Sequence, residues 1–154
     1  MKPIAIAVLS VAACLTPAIA AAQTPEQSFV GAWTLVSFEN FAEDGEVTRN
    51  EMTGSIIYTE SGRMAAQLMP KDYEKRERPE GRPADRRGNV AYWGRFELDP
   101  EAGSVTHHVE GSIIGPWVGV DLVRHYEIEG DVLKLSLRDE KGRTTGTLTW
   151  QRTQ

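Results

Sequence analysis

The sequence predicts an all-β domain, an eight-stranded up-and-down antiparallel β-barrel. Three observations carry that prediction. Helical periodicity is nearly absent, apolar and polar residues alternate in short runs, and tight-turn residues separate the runs. A βαβ protein would instead interleave its strands with amphipathic helices.

Phe29–Asn40 (FVGAWTLVSFEN) reads as the first strand, ended by the turn Glu43-Asp44-Gly45. Ser55–Thr59 and Arg63–Met69 form a hairpin around Glu60-Ser61-Gly62, where glycine supplies the positive φ of a tight turn. Val90–Asp99 and Ser104–Ser112 pair around Pro100-Glu101-Ala102-Gly103, and Val118–Glu129 and Val132–Arg138 around Gly130-Asp131. Thr144–Thr153 closes the set after Asp139–Gly142. One stretch interrupts the rhythm. Pro70–Asn89 carries seven basic and five acidic residues, three prolines and almost nothing apolar. Such composition reads as a solvated loop, or as a lid over a barrel mouth.

Strand alternation assigns faces. Trp33 and Leu35 share the inner side of the first strand. Tyr92, Phe96 and Leu98 oppose Trp93, Arg95 and Glu97. Val105, His107 and Val109 oppose Thr106, His108 and Glu110. Val120, Leu122, Arg124, Tyr126 and Ile128 oppose Asp121, Val123, His125 and Glu127. Leu133, Leu135, Leu137, Leu148 and Trp150 read inward. The adjacent histidines are therefore split, His107 inward and His108 outward.

Composition narrows the context. Residues 1–22 (MKPIAIAVLSVAACLTPAIAAA) combine an early lysine, an apolar stretch and a run of small residues at the end. That pattern predicts a secretory signal cleaved near Ala20–Gln23, and hence a periplasmic or secreted protein. Ser10, Thr16 and Pro17 interrupt the apolar run, which falls short of the ~20 apolar residues of a membrane span. Lipid attachment at Cys14, after Val11-Ala12-Ala13, is the alternative. The domain that remains, 23–154, carries 16 basic and 22 acidic residues. Its negative charge argues against nucleic acid or an anionic membrane surface as partner. Cleavage removes the only cysteine, so neither a disulfide framework nor a thiolate metal site is expected.

Several stretches together carry a family resemblance. Gly31-Ala32-Trp33 on the first strand, with Trp150 and Arg152 on the last, resembles the G-x-W and closing Trp/Arg features of the lipocalin superfamily. More specifically, GAWTLVSFE, GSIIYTESGRMAAQLM, AYWGRFELDPEAGSVTHHVEGS, PWVGVDLVRHYEIEGDVLKLS and LTWQR resemble, in order, the small bacterial and fungal lipocalin-like domains. The resemblance implies an eight-stranded barrel with one blocked end and an internal pocket. It implies no particular ligand, since such barrels host binders and a few enzymes.

An eight-stranded barrel is wide enough to be filled by side chains or to hold one small molecule. Trp33, Trp150 and Leu148 are expected to plug one end. His107, Arg124 and Tyr126 share an inner face, with Tyr58 and Tyr92 as neighbours and Trp117 at the rim. On the functional reading, Arg124 meets an anionic or carbonyl group of a partly apolar ligand, and His107 and Tyr126 supply hydrogen bonds. On the plainer reading, Arg124 reaches the rim or pairs with a glutamate, His107 is a satisfied core residue, and Trp117 is packing. Neighbouring strand positions point apart, so His107 and His108 cannot chelate together, and no metal site or cofactor is expected. Nor is there a G-x-S-x-G elbow. Three functions stay open: a small-molecule binder, an isomerase or cyclase using His107 and Arg124 on a carbonyl compound, and a packed barrel that engages a protein. A pocket of about 300 Å3 or more would favour the first two.

Overall fold

The computed structural model describes residues 25–76 and 87–154. The leader 1–22, its cleavage site and Cys14 lie outside the described residues, as do positions 77–86 of the charged stretch. Among the described residues nine strands follow a short helix α1 (Pro25–Phe29): β1 (Gly31–Phe41), β2 (Val47–Arg49), β3 (Met52–Tyr58), β4 (Arg63–Pro70), β5 (Val90–Asp99), β6 (Ser104–Ser112), β7 (Asp121–Glu129), β8 (Val132–Arg138) and β9 (Thr144–Arg152). Every pairing is antiparallel; β1 pairs with β3 past the short β2, the strands from β3 to β9 pair in chain order, and β9 returns to β1, so eight strands close a barrel. The ninth, β2, is an addition to the expected eight. It pairs only with the far end of β1, at Glu39–Phe41. Among the described residues no helix is long and apolar enough to cross a membrane.

Three boundaries differ from the reading of the sequence by two or more residues. Phe29 ends α1 rather than opening β1, because the chain turns at Gly31, whose φ is 133°. β3 begins at Met52 rather than Ser55. β7 begins at Asp121 rather than Val118, because Gly115–Trp117 form a 3-10 turn and Gly119 adopts a φ of 82°. A one-turn 3-10 helix at Tyr73–Lys75 occupies the start of the charged stretch.

Two bulges reset the alternation. Leu35 pairs with Trp150 and Ser37 with Thr149, so Val36 is the extra residue; it points outward and Phe38 turns inward. In β6 the extra residue is Glu110, since Val109 pairs with Gly94 and Gly111 with Trp93. It falls after His107, so the split of the two histidines holds: His107 is buried and His108 faces outward.

The closed end shows what the G-x-W sequence does. Trp33 is fully buried, and its indole Nε1 donates to the Phe29 carbonyl at 2.9 Å, which ties α1 across the barrel floor. The Arg152 guanidinium lies 4.1 Å over the Trp33 ring and donates to the carbonyls of Val30 (2.8 Å) and Ser28 (2.6 Å). A Cβ at position 31 would meet Arg152 Nη1 at 2.8 Å, so the guanidinium needs glycine there as much as the positive φ does. Phe29, Tyr58, Phe96 and Tyr126 complete this floor in edge-to-face contacts of 4.8–5.3 Å between ring centroids. Trp150 and Leu148 stand one level higher. Contrary to expectation they line an open space rather than plug the end.

Candidate functional site

Directly above the aromatic floor, three strands bring three polar side chains together inside an apolar wall. Tyr58 comes from β3, Tyr92 from β5 and His107 from β6, each at an inward position of its strand. The Tyr58 hydroxyl lies 2.8 Å from His107 Nε2, and the Tyr92 hydroxyl lies 3.0 Å from Nδ1. His107 is 0% exposed, Tyr58 1% and Tyr92 7%. Burial lowers the His107 pKa from 6.5 to about 3, and the charges of Arg124 and His108 push the same way. Burial also raises Tyr58 well above its usual value, with Tyr92 adding to the rise and Arg124 opposing it. Tyr92 shifts upward for the same leading reason. At neutral pH all three groups are uncharged.

Above this triad lies a cavity of about 250 Å3 at the open end of the barrel. Its wall is apolar, with Ile56, Leu68, Leu135 and Leu148 among its members, and Trp117 and Trp150 add indole faces. Arg124 is the charged residue that borders it, with Tyr92 beside it in the lining. The Arg124 Nη1 donates to its neighbour's carbonyl, Val123 O, at 2.8 Å, and no carboxylate among the described residues pairs with it. Trp117 packs edge-on against Tyr92, with ring centroids 5.6 Å apart. The indole Nε1 of Trp150 is buried without an acceptor among the described residues. The volume falls just short of the ~300 Å3 at which drug-sized pockets begin, so it suits a smaller guest.

The six residues singled out from the sequence therefore separate into levels. Tyr92, Trp117 and Arg124 border the cavity. Tyr58 and His107 sit beneath it, and His107 reaches the cavity only through the Tyr92 hydroxyl. Tyr126 stays in the floor against Phe29, with centroids 4.8 Å apart. Of the two accounts of His107, that of a satisfied core histidine describes its surroundings. Arg124 has no glutamate partner among the described residues. Four lining residues stand where the sequence did not put them. Phe38 turns inward only because of the bulge at Val36, Met52 precedes the expected start of its strand, and Leu148 and Trp150 were assigned to the plug.

On the outer surface, His108 Nδ1 lies 2.7 Å from Asp121 and its Nε2 3.5 Å from Glu97. His125 pairs with Ser104, four positions along β6 from His108, so the two outward histidines do not face each other. No group of residues suited to a metal ion occurs among the described residues. Glu110 is held by two hydrogen bonds from Arg63, at 2.8 and 2.7 Å, and lies 3.3 Å from Arg95.

The lipocalin-like domain family matches residues 30–153. Two solved structures are similar in fold. One is a lipocalin-like protein of Bacteroides uniformis ATCC 8492, 13% identical, with 82% of this chain and 99% of that one covered and a TM-score of 0.49. The other, from Bacteroides eggerthii DSM 20697, is 14% identical over 81% of this chain and 99% of its own, with a TM-score of 0.45. No curated protein matches the chain.

Proposed function

Because this chain belongs to the lipocalin-like domain family, we propose that it holds a small, partly apolar molecule in the open end of its barrel. The observation that carries the reading is the cavity of about 250 Å3, apolar on nearly every side and bordered by one arginine with no carboxylate partner among the described residues. A partly buried cation without a counter-charge favours an anionic or carbonyl group on the guest. The rest of the wall favours a hydrocarbon or aromatic body. The pattern of residues 1–22 supports a periplasmic or secreted site of action.

Binding draws more support than proton-transfer catalysis. A general base works best with a pKa near the working pH, and His107 is held at about 3 by its burial. It is also screened from the cavity by Tyr92.

Two of the four tryptophans, Trp117 and Trp150, border the cavity, so their fluorescence reports on occupancy. Titration with toluene tests the apolar space, and titration with phenylacetate tests the arginine. Both are expected to change the emission. Arg124→Met should weaken phenylacetate about ten times more than toluene, since a hydrogen bond to a charged group is worth about 1.5–3 kcal/mol. Failure of both ligands to bind would remove the reading.

A further inference from the structure

The chain Tyr58–His107–Tyr92 can run in either of two directions, and its surroundings choose between them. A neutral imidazole has one N–H and one bare nitrogen, so one tyrosine donates to the ring and the other accepts from it. Suppose Nε2 carried the proton. Tyr58 would then accept, and its own hydroxyl hydrogen would need another acceptor. Tyr58 is 1% exposed, has no second hydrogen-bond partner among the described residues, and lies between the rings of Phe29 and Phe96. A buried donor left unmatched is what folded proteins avoid. In the opposite direction every hydrogen but one is placed. Tyr58 O–H donates to Nε2, Nδ1–H donates to the Tyr92 oxygen, and the hydrogen left over belongs to Tyr92, which borders the cavity.

We propose that His107 is fixed as its Nδ1–H tautomer, that Tyr92 thereby offers its O–H to the cavity, and that the cavity selects guests whose polar group only accepts hydrogen bonds. This rests on the binding reading given above. One further group agrees with it independently. Arg124 also borders the cavity and can only donate. Two polar groups at one cavity thus ask for acceptors. A carboxylate or a ketone meets that demand, whereas an ammonium brings three more donors and a charge of the same sign as Arg124. Tyr92 is in this account a specificity-determining residue, and Tyr58 and His107 are positioning residues that set its hydrogen.

Two measurements on the full chain test this. Nitrogen NMR of histidine-labelled, ligand-free protein should show His107 with Nδ1 protonated and Nε2 bare; the reverse overturns the proposal. That readout needs no ligand. Titrations then compare phenylacetate and acetophenone with phenethylamine, which has nearly the same size. Phenylacetate is expected to bind at least tenfold more tightly than phenethylamine. Tyr92→Phe should weaken phenylacetate and acetophenone by about five- to tenfold, as for loss of one hydrogen bond, while toluene changes far less. Equal binding of phenylacetate and phenethylamine, or an unchanged affinity in Tyr92→Phe, overturns the selectivity. If toluene still binds in that event, the cavity reading survives and only the donor account fails.

Discussion

Replacing His107 with leucine should cost stability out of proportion to the size of the change. Leucine fills nearly the same space, so the cavity contribution is small. The cost comes from the two tyrosines. Tyr58 is 1% exposed and would lose its only side-chain hydrogen-bond partner among the described residues, and a buried polar group left unmade costs about 1–3 kcal/mol. Tyr92 borders the cavity and can turn to water there, so its loss is closer to that of an ordinary hydrogen bond, about 0.5–1.5 kcal/mol. Together these give ~2–4 kcal/mol, a large share of the 5–15 kcal/mol typical of a folded domain. Urea denaturation followed by tryptophan fluorescence measures it. The triple variant Tyr58→Phe, His107→Leu, Tyr92→Phe supplies the control. Removing all members of a buried polar network leaves nothing unpaired, so it should return to within about 1 kcal/mol of the parent. A loss below ~1 kcal/mol in His107→Leu, or a triple variant less stable than the single one, would refute the reasoning. The same histidine read from the sequence alone, as a cavity-facing residue, would have been expected to affect ligand binding with little loss of stability.

His107 also makes stability depend on pH. Its pKa is about 3 in the folded protein against 6.5 when exposed, so the unfolded chain takes up the proton first as pH falls. Its full contribution is present above about pH 6.5 and is lost progressively toward pH 3, roughly 2 kcal/mol of it by pH 5. Urea midpoints at pH 7 and 5 should show this loss in the parent and not in His107→Leu; equal losses in both would assign it elsewhere. Trp33→Ala should cost on the order of 3–5 kcal/mol, as for a buried aromatic, because it also unties α1 and leaves Arg152 without its ring. A denaturant melt showing less than ~1 kcal/mol would contradict its place in the floor. Protein from a cell-envelope or culture fraction should have an intact mass lacking residues 1–22. A mass that retains them, or a lipid on Cys14, would rule out the predicted cleavage.

The parts of this protein that follow from local chemistry were legible in the sequence. Strand alternation repeats every two residues, and it places His107 inward and His108 outward without reference to any other strand. Turn residues at Gly62, Gly103, Gly130 and Gly142 mark the hairpins for the same local reason, since each needs a positive φ. The levels within the barrel could not be read that way. Whether Trp150 plugs the floor or borders the cavity depends on its register against Leu35 and Leu133, which is set between strands. An extra residue at Val36 reverses the phase of half a strand and brings Phe38 inward, and no local pattern announces it. The pairing of His107 with Tyr58 and Tyr92 joins residues 49 and 15 positions apart, from three strands. Only closure of the sheet into a barrel turns those three inward positions into one hydrogen-bonded chain, because only closure brings β3 across the interior from β6.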